Sequence, residues 1–473
     1  MLYTNLEFGF FFLAFFLLYW SIHNHIKGQN LLILAASYFF YGWWDWRFLS
    51  LIVVSSLTDF LIGIQLDQGG KHKKKWLYIS LFVNLGLLGV FKYYNFFVDS
   101  FIDLFALFDY QLPARTLEVI LPIGISFYTF QTLSYSIDVY RGKVQHTRDV
   151  VAFLAFVSFF PQLIAGPIER ASSFLPQFSR KRTFDSNTAK DGIRQVLWGL
   201  FKKVVIADGV AQAVETILGH HELYTGAELF MGLLFFAFQV YCDFSGYSDI
   251  AIGLGKLLGF KLMTNFKYPL TAPNFLQAWS RWHISLISWF KDYIYFPLGG
   301  SRGSPLATMR NLIIVFVVSG FWHGANWTFI FWGLLCGVLG IPEQVNKKLL
   351  AKDIKPIDAA RFRAPLSHYL RVATQVSLNT LGLALFFSRD LAQAGGIYAG
   401  IFDISLLSIP GIFREELLLI FGFYFIEWIC QHKEHPLKIE HLPVFTRWTV
   451  YYVVVMTILY FNYDRIAFIY FQF

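Results

Sequence analysis

The chain has 473 residues, 56% of them hydrophobic and only 15% charged, with a mean hydropathy of +0.49. Soluble domains carry about 25% charged residues, so a soluble globular protein is excluded and much of the surface faces lipid. The net charge of +8 sits in short loops between apolar runs, which fits the positive-inside rule and not a nucleic-acid surface.

A bilayer-spanning helix needs about 20 mostly apolar residues. In chain order, candidate spans lie over residues 6–22, 31–44, 48–66, 76–98, 117–137, 150–165, 204–218, 229–254, 312–340, 370–387, 417–430 and 449–470. The first is read as a span and not a signal peptide, because no Lys or Arg precedes it and many similar runs follow. The pattern predicts an all-α, polytopic integral membrane protein of about 11–12 membrane helices. It shows no internal repeat and no soluble domain, so residues 1–473 are expected to form a single membrane-embedded domain. Cys242, Cys336 and Cys430 each lie in or beside an apolar run and make no CxxC pair, so neither a disulfide framework nor a metal site is predicted.

Loop charges set the expected orientation. Four basic segments are assigned to the cytoplasm. The first holds Lys71, Lys73, Lys74 and Lys75; the second holds Arg141, Lys143 and Arg148. The third runs from Arg170 through Arg180, Lys181, Arg182 and Lys190 to Lys202 and Lys203, and the fourth from Lys347 to Arg363. Residues 99–109, 220–228 and 389–416 are poor in Lys and Arg and are assigned outside. Two apolar runs, 150–165 and 312–340, then have basic residues on both sides, so each is expected to re-enter or fold as a hairpin. Non-helical backbone at membrane depth is tolerated only inside protein or along a wet cavity. The breaks at Pro161 and at Ser319–Trp327 are therefore expected to wall an internal cavity.

Three segments carry polar chemistry. His323 sits mid-run between Trp322 and Gly324, with Asn326 three residues on. Ionisable residues in membrane segments are costly and commonly functional, and histidine suits proton transfer because its unperturbed pKa is about 6.5. A packing or snorkelling histidine is the structural alternative. Over 275–296, Phe275, Trp279, Trp282, Leu286, Trp289 and Tyr293 recur at helical spacing, opposite Gln277, Arg281, Ser285, Ser288 and Asp292. This predicts one amphipathic interfacial helix, with His283 on its apolar flank. In 239–260, Gln239, Asp243 and Gly246 stack at helical spacing, as do Ser245, Asp249 and Gly253, which predicts close helix packing around a polar interior.

These residues resemble a known family. Arg281-Trp282-His283-Ile284-Ser285-Leu286 followed by Trp289 to Gly300 is similar to the central signature of the membrane-bound O-acyltransferases, in the branch that O-acetylates alginate in bacteria. Trp322-His323-Gly324-Ala325-Asn326-Trp327, the block Tyr241 to Asp249 and the block Phe160 to Ile168 resemble three further motifs in the same order. The resemblance implies acyl transfer from a thioester donor, acetyl-CoA or an acylated carrier protein, to a hydroxyl, with no bound cofactor. It makes His323 the catalytic histidine and His283 the second catalytic position, and it makes Arg281, Trp322, Asn326, Asp243, Ser245 and Asp249 candidates for substrate binding. It also implies a bacterial inner membrane and an extracytoplasmic acetyltransferase-like partner that completes transfer to a polysaccharide. A transporter or flippase, which also has broken helices and buried charges, is the competing class. D-alanyl transfer to teichoic acid is the competing reaction.

Overall fold

The computed structural model describes residues 1, 3–68, 70–111, 116–117, 120–350, 365–461 and 468–469, the side chains of 345–350 excepted. These residues are helical or irregular, with no strand among them. Among them, five helical runs are long and apolar enough to cross a bilayer: Ile26–Gln68, Gly70–Ala106, Gly226–Leu257, Pro305–His323 and Leu366–Phe387. Leu6–Ser21, Val150–Leu163 and Val444–Tyr460 are shorter apolar helices. Large apolar side chains such as Phe10, Phe39, Phe82 and Phe445 stand exposed on these runs, the arrangement expected of surfaces solvated by lipid. The protein is an all-helical, multi-pass membrane protein.

The chain forms two compact units, Met1–Ile193 with Ile250–Met263, and Arg194–Asp249 with Thr264–Phe473. In the first, the helix Ile125–Tyr140 is buried almost all round. It starts later than the hydropathy predicts because Gly124 holds a left-handed backbone (φ 77°) beside the Leu163 carbonyl. Asp59, buried in the same unit, accepts from Ser80 (2.5 Å), Ser136 (2.6 Å) and Asn84 (2.7 Å). A buried carboxylate is tolerable only when so paired. The 150–165 run breaks at Phe159: Val150–Ser158 is one helix, Phe160–Leu163 a single turn, and both are lined by buried Phe side chains.

The second unit is built around residues 226–249 of the helix Gly226–Leu257. Its apolar core joins residues of that helix to Trp198, Val205, Phe316, Trp332, Phe386, Ile397 and Phe423. The run 312–340 folds as the hairpin its flanking charges predict, from the helices Pro305–His323 and Trp327–Leu350. Their seam is glycine: a Cβ on Gly320 or Gly333 would fall within 3.0 Å of the Phe329 or Phe316 carbonyl oxygen of the facing helix. Small residues let helix backbones approach this closely where lipid supplies no hydrophobic drive. The helix Leu391–Ile401 lies in a stretch read as an extracytoplasmic loop, because its Gly and Gln residues give a weak apolar period.

Two expectations are corrected here. Lys202 and Lys203 are not loop charges. They lie in a π-helical turn, Lys202–Ala207, inside a longer helical run, and both are buried. Lys202 pairs with Asp249 at 2.6 Å and Lys203 with Asp208 at 2.8 Å and Asp243 at 2.9 Å. Arg170 and Arg182 of the same basic segment are buried too, and Arg182 donates to Asn30 at 2.8 Å. Loop counting cannot distinguish a solvated lysine from one whose partners lie elsewhere in the chain. The second correction concerns 275–296, which is not one helix. Phe275–Arg281 and Ile284–Phe290 are separate helices, and His283 between them is left-handed (φ 41°, ψ 52°). Of the fourth basic segment, Lys352 to Arg363 lie outside the described residues, as do the side chains of Lys347 and Lys348.

Candidate active site

His323 is the last residue of its helix and stands at the tip of the hairpin, not in the middle of a helix. It is 4% exposed. Its ring is held by Trp322 (centroids 5.0 Å apart), Trp332 (5.3 Å) and Phe386 (5.4 Å), all three at steep interplanar angles. Edge-to-face packing of this kind is favourable and fixes ring orientation. The three-residue turn that follows is tied by Asn326, whose side-chain amide donates to the Arg389 carbonyl at 2.7 Å and whose oxygen accepts from Thr328 N–H at 3.0 Å. Asn326 thus fixes the turn beside His323.

His283 is 1% exposed. Phe244 meets it edge-on at 4.5 Å, and Phe266 stacks at 6.3 Å. Trp322 lies 6.0 Å away, so one indole separates the two histidines. The left-handed backbone is clamped by Asn265. Its carbonyl accepts from Ile284 N–H at 2.8 Å and its side-chain oxygen from the Ser285 hydroxyl at 2.9 Å, while its amide donates to Ser248 at 3.1 Å. A non-glycine residue held at positive φ marks strain that surrounding contacts must over-determine. Asn265 carries no helix-period signal and was invisible in the sequence.

A cavity of about 70 Å³ opens beside His323. Its wall includes Trp279, Trp282, Trp332, Leu339, Leu383 and Phe386, with Asn379 and Thr380 as polar members besides His323. Glu343 positions the Trp279 helix, its carboxylate accepting from the N–H groups of Phe275 (2.7 Å) and Leu276 (2.8 Å). A carboxylate at a helix N-terminus satisfies orphan donors and matches the helix dipole. On Leu366–Phe387, residues 368, 375, 379 and 386 follow each other by seven, four and seven positions, so they share one face. His368 and Gln375 are buried there, and none of their side-chain nitrogens and oxygens has a hydrogen-bond partner among the described residues. A second cavity, of about 940 Å³, is lined by Gln212, Glu215, Gln239, Arg389, Gln393 and Glu415. The two cavities are walled by neighbouring residues, Phe386 and Ala237 on the first, Phe387 and Phe236 on the second.

The remaining candidates lie elsewhere. Arg281 donates to the Thr271 hydroxyl at 3.1 Å. Asp243, Ser245 and Asp249 are engaged with Lys202 and Lys203. Ser245 accepts from Lys202 at 2.8 Å, Asp249 also accepts from Gln195 at 2.8 Å, and Asp243 also accepts from Ile469 N–H at 2.7 Å. None of the four is among the residues lining the His323 cavity. Removing one partner of a buried ion pair typically costs about 3–5 kcal/mol, so the network commits these helices to one packing.

The fold and site define a multi-pass helical membrane protein with a buried histidine at a hairpin tip, on the wall of a small apolar cavity. The chain belongs to the membrane-bound O-acyltransferase family, whose profile matches residues 36–353, and is an O-acyltransferase. It is 38% identical over 422 residues, 88% of this chain and 81% of the relative, to the "Probable alginate O-acetylase" of Azotobacter vinelandii. It is 38% identical over 69% of its length to the "Peptidoglycan O-acetyltransferase" of Helicobacter pylori, covering 66% of that protein. The "Teichoic acid D-alanyltransferase" of Streptococcus thermophilus is 25% identical over 69% of this chain and 86% of its own length.

Proposed function

We propose that this chain moves acetyl from a thioester donor on the cytoplasmic side to hydroxyls of an extracytoplasmic polysaccharide, with alginate or a related exopolysaccharide as acceptor and His323 as the base. The observation that carries this reading is the placement of His323, on the wall of a small, largely apolar cavity whose lining residues Ala237 and Phe386 are chain neighbours of Phe236 and Phe387 on a larger cavity. The apolar cavity, at about 70 Å³, suits a two-carbon acyl group, since an apolar cavity that holds benzene is about 150 Å³. The unpartnered polar face of His368 and Gln375 supports a donor route. It begins at the end of Leu366–Phe387 that follows the basic fourth segment and ends at Phe386 against His323. The amides and charges of the larger cavity suit sugar hydroxyls, and Arg389 and Gln393 belong to the stretch assigned outside. An acetylated donor is favoured over a D-alanylated one by the higher identity to the two O-acetyl-transferring relatives.

In this reading a hydroxyl that relays the acetyl group toward the polymer attacks the thioester carbonyl while His323 takes its proton. The aromatic wall excludes water and so limits thioester hydrolysis. A separate extracytoplasmic acetyltransferase-like protein completes transfer to the polymer, in the inner membrane of a bacterium. The test is His323→Ala. The variant is expected to insert and accumulate normally while polymer acetylation falls to background, by about 10²–10⁴-fold in rate. Polymer acetylated to the normal level in that variant overturns the assignment.

A further inference from the structure

We infer that the indole N–H of Trp279 and the hydroxyl of Thr380 are the hydrogen-bond donors that hold the thioester carbonyl at His323. The assignment rests on the acyl-transfer reading above and adds to it the groups that carry the charge developing on oxygen.

Both residues line the cavity that His323 lines. Thr380 is 1% exposed. Neither Trp279 Nε1 nor Thr380 Oγ1 has a hydrogen-bond partner among the described residues, although both atoms are buried. A buried donor without an acceptor is unfavourable. The wall holds two groups able to accept, Asn379 and His323, yet neither donor bonds to them, and Ala237, Val240, Leu270, Leu339 and Leu383 around them are apolar. A helical threonine usually turns its hydroxyl to the carbonyl one turn earlier. Thr374 on the same helix does so, donating to Leu370 O at 2.9 Å, but Thr380 does not. Trp279 is held in place by Phe316 (5.2 Å) and Trp332 (5.8 Å), and by the Glu343 cap on its helix. Two preorganised donors beside a base in an apolar cavity are what a developing oxyanion needs. Arg281 and His283, both candidates from the motif resemblance, do not line the cavity.

The chemistry balances without a further reactant. The acceptor oxygen bonds to the carbonyl carbon, the carbonyl π pair moves onto oxygen between Trp279 and Thr380, and the hydroxyl proton passes to His323. The carbonyl then reforms, the carbon–sulfur bond breaks, and the leaving thiolate takes the proton from His323.

The test uses the full-length protein and two probes that share a pantetheine thioester, acetyl-CoA and an acetylated acyl carrier protein, each with a ¹³C-labelled carbonyl. In the inactive His323→Ala background, the bound carbonyl stretch is read by difference infrared spectroscopy. It is expected at lower frequency than in solution, and to return toward the solution value in Thr380→Val and in Trp279→Phe, but not in Thr380→Ser. With His323 intact, Thr380→Val and Trp279→Phe are each expected to lower kcat by about 10²-fold with KM little changed. A purely structural Thr380 predicts the opposite for Thr380→Val, which is isosteric and removes an unpaired hydroxyl: unchanged turnover and equal or higher Tm. Binding of either probe with an unshifted band, or normal turnover in Thr380→Val, overturns the assignment and leaves the acyl-transfer reading standing. Binding of neither probe overturns the thioester reading and the assignment with it.

Discussion

Gly320→Ala tests whether the glycine seam sets the position of His323. A methyl there would lie within 3.0 Å of the Phe329 carbonyl oxygen and 3.1 Å from both Cα and N of Gly333. All three are backbone atoms, so no side chain can swing aside. Restoring ordinary contact, about 3.5 Å or more between carbons, requires the two helices to part by on the order of 1 Å. Gly320 is one turn before the hairpin tip, and its carbonyl accepts from Gly324 N–H, so the displacement falls where His323 is held. Overpacking of this kind typically costs about 1–3 kcal/mol, and a shift of about 1 Å at a reacting centre can cost about 10²-fold in rate. Gly337→Ala is the control, because its methyl meets Ile313 Cα at 3.1 Å, a clash relieved by a few tenths of an ångström. The assay is acetyl transfer by purified protein, read beside Tm. Gly320→Ala is expected to lower the rate far more than Gly337→Ala at comparable yield. Equal rates in the two variants, or a wild-type rate in Gly320→Ala, would refute the reasoning.

Two further outcomes are expected. His283→Asn should keep expression and Tm, because asparagine accepts a left-handed backbone. It should slow transfer by about 10- to 100-fold through the loosened Trp322; a wild-type rate would assign His283 to packing alone. Lys74, exposed in the first basic segment, should react as Lys74→Cys with an impermeant maleimide only after the cells are permeabilised. Labelling in intact cells would invert the orientation.

Much of this protein is legible in one dimension. Apolar run length predicts a helical membrane protein because the bilayer leaves no water to pair with backbone. The charges flanking 312–340 predict a hairpin, and the motif around His323 identifies its tip. Apolar run length located Gly226–Leu257 and Leu366–Phe387 to within a few residues. The helical period failed over 275–296 because both halves bury aromatic faces, and the break depends on Asn265, which only the folded chain brings to His283. Charge counting failed at Lys202 and Lys203, whose partners lie up to 47 positions away in Asp249 and 40 away in Asp243. The cavity itself was not readable. Its wall joins Ala237, Trp279, His323, Trp332 and Thr380 from five helices, and the absence of an acceptor for Trp279 and Thr380 among the described residues is a property of their joint surroundings. Sequence pattern is local and sets which faces are apolar. Pairing of buried polar groups depends on which distant groups arrive beside them, so tertiary structure alone decided which polar residues are paired within the fold.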